Sequence, residues 1–402
     1  MTTPAPTHLD AASAAYAGFS PATQRAVDRA IAAIVTAKNH GGKVVTITGS
    51  GPNLHEGVTT LIAELMHRGI VDGVITSSAV VSHEMAGTLE RVKRVPAAKM
   101  AKIPPGVTCQ FYEADLLDEA WLERCRGEFA FDEQYYRMLL AAEGDTIIKA
   151  AGNLAYPGGL RSELAAGKIL AVCREEQKPF EEIAGRIADP LTMLGAGAIL
   201  GKPVLVSVPQ LVGGGKVGLA IGDSISISER SARVARLLDQ ADVLVESAIA
   251  LCQEIHDGPF ETFTGHGLWS AWQGEWSFSL AEKTLIRIDL DENLQKICDR
   301  ESRQSEISQA VNQGLPKAKS TGIPFRMEMS GFARHPKSLP IIADIGTVWP
   351  VIAARVADQL GVRLNFFSAN QGSPAGQEMR RWIVDHVQPL GDLGGLRQPA
   401  GD

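Results

Sequence analysis

The chain has 402 residues, 45% of them hydrophobic and 40 of them glycine, enough for one large or two modest cores. Its 39 basic and 46 acidic residues give a net charge of −7 with no long basic run, so nucleic acid and anionic membrane surfaces are excluded as first expectations for partners. It has neither an apolar stretch of about 18 residues nor the basic and apolar start of an export signal, and a soluble, cytoplasmic protein is expected.

Residues 1 to 18 are rich in Ala, Thr and Pro and read as flexible. Ser20-Pro21 marks a helix start, and Asn39-His40-Gly41-Gly42 closes that helix after Lys38. The apolar β-branched run from Lys43 to Thr48 reads as a strand and meets the loop Gly49 to Gly57. Beyond it, Val58, Leu61, Ile62, Leu65 and Met66 fall at helix spacing until Gly69. A second strand, Val71 to Ile75, ends in Thr76-Ser77-Ser78.

In parallel α/β proteins the order strand, glycine loop, helix, strand turns backbone N–H groups toward an anion, usually a cofactor phosphate. This loop is not a G-x-G-x-x-G, because its third glycine is Gly57, three places late. Asp72, the acid that follows, begins the second strand instead of ending it. A tight strand-to-helix turn is the competing reading. Ser50, Gly51, Asn53, Thr76, Ser77 and Ser78 favour a ligand, since they gather small polar groups and a glycine at two strand ends, where open parallel sheets bind.

Three histidine–acid pairs occur, His55-Glu56, His83-Glu84 and His256-Asp257. Sequence neighbours do not face one another, but each pair places an imidazole just beyond a strand or at a helix start, where acid–base chemistry near neutral pH is feasible. Solvent-facing or structural roles are the alternative. His83 and His256, which follow strongly apolar runs, are the better candidates, together with Glu84, Glu254 and Asp257. No His/Cys spacing resembles a zinc site, and Cys109, Cys125, Cys173, Cys252 and Cys298 are too scattered for a disulfide framework, so no metal is expected.

Residues 86 to 150 are mixed and charged and read as a helical excursion. "NLAYPGGLRSEL", starting at Asn153, is a turn cluster, either a plain loop or a close approach to a ligand. "GKPVLVSVPQ" is a third strand, "LVGGGKVGLAIGD" a glycine loop, "SERSARVARLLDQ" a helix capped by Ser228, and "ADVLVESAIAL" another strand. Trp269, Trp272 and Trp276 share one helical face beside Phe278, as core or interface packing or as a stacking wall. "EKTLIRIDLDENL" and "SLPIIADIGTVWPVIAARVADQLG" supply the last strands, each ending near an acid, Asp289 and Asp344.

Strands alternating with helices over this length specify a doubly wound, mostly parallel sheet. The division expected is a flexible start (1–18), one large α/β domain (19–365) with excursions at 86–150 and 260–283, and a C-terminal extension (366–402) that ends loosely.

"ITGSGPNLHEGVTTLIAELMHRGIVDGVITSSAVVSHEM" resembles the C-terminal domain of the lysine-ketoglutarate reductase/saccharopine dehydrogenase-related family, which includes archaeal-type NAD-dependent ornithine cyclodeaminases. His55-Glu56-Gly57, the run Gly69 to Ile75 and the run Ala79 to Glu84 carry the likeness, with Asp289, Lys296, Asp299 and Arg300 later in the chain. Gly51-Pro52-Asn53, Thr76 to Ala79, "KPVLVSVPQL" and "ADIGTVWPVIAARVADQL" are also similar to deoxyhypusine synthase, whose NAD-binding fold is related.

The resemblance implies a deoxyhypusine synthase-like NAD-binding fold, NAD as cofactor, a small amino acid or amine as substrate, and a homo-oligomer. It implies transient oxidation to an imine, with ammonia elimination and cyclisation of the ornithine cyclodeaminase kind. Aminoalkyl transfer of the homospermidine or deoxyhypusine kind is the alternative, although "ALCQEIHDGPF" holds no lysine where the synthase forms its imine. A non-catalytic NAD-binding protein is a third possibility. Ser50, Gly51, Asn53, Thr76, Ser77, Ser78, Asn153, Asp289 and Asp344 would surround the cofactor, while His83, Glu84, Glu254, His256 and Asp257 would act as acids, bases or holders of an amine.

Overall fold

The computed structural model describes residues 8–49, 51–100, 110–128, 132–152, 162–208, 214–248, 280, 282–290, 292–301, 303–312, 317–324 and 337–391. The chain opens with helices α1 (His8–Ala17) and α2 (Pro21–Asn39), then β1 (Val44–Thr48), α3 (Pro52–His55), α4 (Val58–His67), β2 (Gly73–Ser77) and α5 (Ser78–Met85). Next come β3 (Leu89–Pro96), β4 (Phe111–Asp115), α6 (Glu119–Glu128), α7 (Glu133–Ala141) and β5 (Asp145–Ala150). Helices α8 (Glu163–Glu176), α9 (Phe180–Gly185) and α10 (Met193–Leu200) lead to β6 (Val204–Val208), α11 (Gly215–Ser224), α12 (Ile227–Gln240) and β7 (Val243–Glu246). Strands β8 (Thr284–Asp289) and β9 (Ser338–Ile342) precede a closing helix, Ile345–Gln359, and a C-terminal helix, Pro374–His386.

Six strands form one sheet in the spatial order β6-β2-β1-β7-β8-β9, every adjacent pair parallel. Counted along the chain, that is third, second, first, fourth, fifth, sixth, the order of a dinucleotide-binding, Rossmann-like α/β fold. The expected doubly wound sheet is therefore present. β1 is buried at all five positions, with Val44 in the core on one face and Val45 and Ile47 in the core on the other. A strand covered on both faces reads as the continuous apolar run seen in the sequence. Helices α2, α4 and Ile345–Gln359 pack on the first face, and α12 packs on the second.

Four local expectations change. The described residues of 86–150 are not a purely helical excursion; they build a second, antiparallel sheet in the order β4-β3-β5, backed by α6 and α7. Its charged positions pair across strands, with Arg94 opposite Glu113 and Lys149 bonded to the same carboxylate. The glycine loop after β6 becomes helical from Gly215. The cap of α12 is Ser226, not Ser228, because its side chain accepts the Glu229 N–H at 3.1 Å. Residues 8–17, read from composition as flexible, form α1, where Ala12 joins the core and Arg355 stacks on Tyr16. Among the described residues no helix is long and apolar enough to cross a membrane.

Candidate functional site

The strand order reverses at β1, whose neighbours β2 and β7 lead the chain in opposite directions across the sheet. In open parallel sheets the crevice at this reversal, past the strand carboxyl ends, is where ligands bind. Gly51 stands there with φ 72°, a left-handed conformation that favours glycine. It is exposed, and among the described residues no atom beyond its chain neighbours lies within 4 Å of the place a Cβ would take. The helix beyond it is broken: α3 makes a single turn, and α4 starts only after Gly57, itself at φ 70° and packed on Met379.

The other small polar tips are largely engaged by partners within the protein. Asn53 is 2% exposed; its Nδ2 donates to the Ser247 carbonyl at 2.6 Å, and Ser247 Oγ donates to Asn53 Oδ1 at 2.9 Å. That pair ties the β1 loop to the end of β7. Thr76 Oγ1 donates to the Thr48 carbonyl at 2.6 Å, and Ser77 caps α5 by accepting the Val80 N–H at 3.4 Å. Ser78 is buried, and its carbonyl accepts from Ser82 Oγ at 3.0 Å. Asp289 pairs with Arg287 at 2.5 Å and accepts the Leu290 N–H, while Asp344 accepts from Asn370 Nδ2 at 3.0 Å. Gly51 is exposed at this edge, and Ser77 and Asp344 are half-buried. Ser50, Asn153, Glu254, His256, Asp257 and the Trp269–Phe278 stretch lie outside the described residues.

His83 and Glu84 take different parts. His83, 7% exposed, donates Nδ1–H to the Ala151 carbonyl at 2.8 Å, which makes Nε2 the basic nitrogen. Burial lowers its pKa from the usual histidine value, with Lys149 adding to the effect against the bond to Ala151, so the ring is neutral at pH 7. Glu84, 1% exposed, accepts the Met193 and Leu194 N–H groups at 2.9 and 3.1 Å and so caps α10 from another element.

Burial outweighs those two bonds and raises the Glu84 pKa to about 7. With the folded pKa above the ordinary 4.5, this contribution to stability is complete below that value and is lost as pH rises through 7. Glu84→Gln should therefore match the wild type at pH 5 and exceed it at pH 8, by up to about 3 kcal/mol. Urea midpoints at the two pH values test this. Equal destabilisation at both would show that the carboxylate is needed ionised.

A group of residues that the sequence did not join surrounds the same loop. Arg380, on the C-terminal helix, donates from Nη2 to the Ile148 carbonyl of β5 and sits 3.3 Å from His55 Nδ1. Burial first, and then the charges of Arg380, His83 and Lys149, hold the His55 pKa down at about 4. Glu56 accepts the Gln371 N–H at 2.6 Å; burial, helped by nearby Asp344, raises its pKa. The glycine loop, α5, β5 and the C-terminal helix thus meet in one corner that is cationic on one side. Only His55 and Glu56 carried a local signal, since Arg380 lies 325 residues from His55. A separate hollow of about 560 Å³ opens past β9, lined mainly by apolar groups such as Phe366, Met379 and Trp382.

No family model matches the chain, and no curated protein matches it. Similar solved structures are few in shared residues. The ternary complex of AgrE with ornithine and NAD+ is 12% identical with a TM-score of 0.40, over 86% of this chain and 34% of that one. A conserved putative LOR/SDH protein from Methanococcus maripaludis S2 is 8% identical with a TM-score of 0.39, over 90% and 74%. Apo ArgZ, an arginine dihydrolase from the ornithine–ammonia cycle in cyanobacteria, is 10% identical with a TM-score of 0.37, over 83% and 33%. The chain spans about a third of the length of AgrE and ArgZ. Scores of this size leave the functional assignment to the chain's own residues.

Proposed function

We propose that the protein is an NAD-dependent enzyme acting on a small amino acid by transient oxidation at the carbon bearing nitrogen, with ammonia elimination as the outcome. The observation that carries this reading is the dinucleotide strand order with Gly51 open at its reversal point. The edge fits a dinucleotide there, because no described residue beyond its chain neighbours crowds the Gly51 Cβ position and a phosphate can approach the backbone. Gly51 and Ser77 would hold it, with Asp289 and Asp344 at the later strand ends as candidates for its hydroxyl groups. Bound there, NAD supplies a hydride acceptor and later returns the hydride.

The chain's own part is proton handling and orientation. Neutral His83 takes a proton from the substrate ammonium at Nε2, which frees the nitrogen lone pair. The Ala151 carbonyl keeps the imidazole in the tautomer that allows this. Buried His83 and Glu56 mark a corner partly shielded from water, where such a transfer is stronger than in solvent.

Denaturing the purified protein and examining the supernatant by mass spectrometry should reveal a nicotinamide dinucleotide, or added NAD should raise the melting temperature. Incubation with ornithine and NAD should then release ammonia. A longer polyamine from putrescine or spermidine would mark aminoalkyl transfer instead. An NAD-induced melting shift with neither turnover would leave a binding protein only, and no response to NAD would end the reading.

A further inference from the structure

We propose that Arg380 and His55 form the carboxylate-holding half of an α-amino-acid site whose amine-facing half is His83. The inference rests on the amino-acid reading above and deepens it by assigning the residues that recognise the substrate class.

The two histidines are held in opposite tautomers. His83 donates Nδ1–H to Ala151, so its Nε2 is an acceptor suited to an ammonium proton. His55 presents Nδ1 to the Arg380 guanidinium at 3.3 Å, and a nitrogen facing that donor must carry the lone pair. Its ring proton is therefore on Nε2, a donor suited to an oxygen anion.

Arg380 is a half-buried cation with no ion pair among the described residues. Its Nη2 is engaged with Ile148 and His55, its Nε is shut off from solvent without a partner, and its Nη1 makes no hydrogen bond to a described residue. A partly desolvated guanidinium is stabilised by an anion that meets its planar fork.

The charges around His55 favour a carboxylate over a more highly charged phosphate. Arg380 faces it from the C-terminal helix and Lys149 from β5, while His83, neutral at pH 7, faces it from α5. Lys149 pairs with Glu113 at 2.6 Å, and that carboxylate is shared with Arg94. Glu56 adjoins His55 in the chain, and Asp344 in turn acts on Glu56, so both acids stand near the corner. Arg380 and Lys149 on one side, and Glu56, which acts on Arg380, with Asp344 on the other, bring both signs of charge to the corner. That suits a ligand with one negative and one positive group, the pattern of an α-amino acid.

The full chain is titrated with L-ornithine, L-arginine, L-lysine and L-alanine, with putrescine, which lacks the carboxylate, and with inorganic phosphate. Calorimetry gives affinities, and the His55 C2-proton resonance gives its titration midpoint. At least one amino acid should bind tenfold or more tighter than putrescine and raise the His55 midpoint above about 4. Arg380→Gln should weaken that binding tenfold or more and leave putrescine unchanged, with part recovered in Arg380→Lys. His55→Phe, which keeps a ring of similar size, should weaken the amino acid alone.

Equal amino-acid affinity in wild type and Arg380→Gln overturns the proposal, as does failure of all four amino acids to bind. Loss of the NAD-induced melting shift in Arg380→Gln, with phosphate competing, also overturns it, because Arg380 would then hold the dinucleotide. Absence of that shift in the wild type refutes the cofactor reading while the amino-acid titrations still decide this one.

Discussion

Replacing Arg230 with methionine is expected to destabilise the protein by about 3–5 kcal/mol, among the largest effects of any single side chain in the fold. Arg230 is 4% exposed and Glu181 is 2% exposed. Arg230 Nη1 donates to Glu181 Oε1 at 2.6 Å and to the Val206 carbonyl at 3.0 Å; Nη2 donates to the Ile221 carbonyl at 2.6 Å and to Ser224 Oγ at 3.3 Å. The same Glu181 oxygen accepts the Val206 N–H at 2.7 Å. One guanidinium thus joins α12, α9, α11 and the edge strand β6.

Methionine keeps the apolar stem but strands a buried carboxylate and the Val206 carbonyl, and an uncompensated buried charge is the costly state. Adding Glu181→Met should recover only part of the loss, because the Val206 carbonyl still lacks the Arg230 donor and the Val206 N–H loses its acceptor. Guanidinium midpoints of the three variants measure this. A loss below about 1 kcal/mol in Arg230→Met would show that the network contributes no more than a surface pair.

That arginine also shows how much of the fold the sequence carries. In "SERSARVARLLDQ", Arg230 precedes Val234 by four and Leu237 by seven, so it lies on the apolar stripe while Arg233 and Arg236 lie off it. Its burial is readable, but its partner Glu181 is not, because nothing local marks Glu181 over its half-buried neighbour Glu182. The parallel strands were legible for a similar reason, since burial on both faces writes itself as a continuous apolar run. The antiparallel sheet was hidden because its exposed faces carry the charges that also mark helices, and α6 within the same stretch is a real helix.

The site divides in the same way. Gly51 and His83 carry local signals, a glycine after a strand and a histidine after an apolar run. Asn53 and Thr76 carry such signals too, yet their polar atoms serve Ser247 and Thr48, partners decided by which strands lie side by side. Glu84 caps a helix 109 residues away, and Arg380 reaches His55 across nearly the whole chain. Contacts of this kind follow from topology, and no window of sequence contains them.

On the proposed function, His83→Gln is expected to lower kcat/KM for amino-acid turnover by about 10²–10⁴-fold, the range for loss of a positioned general base. The native ring combines three conditions: a tautomer set by Ala151, a free Nε2, and a pKa lowered by burial so that the base is unprotonated at neutral pH. Glutamine can still donate to the Ala151 carbonyl, so folding should suffer by about 1 kcal/mol or less, but it offers no titrating nitrogen. The NAD-induced melting shift should remain, because His83 touches neither Gly51 nor Ser77 in any hydrogen bond of the described structure.

The pH profile separates this role from a structural one. With the pKa of His83 depressed, the wild-type acidic limb of kcat/KM should fall below the ordinary histidine range, since the base stays neutral as pH drops through it. In His83→Gln that limb should vanish from the residual activity. Retention of turnover to within tenfold, or an acidic limb that survives the substitution, would move the base to another residue, with the undescribed His256 the next to test.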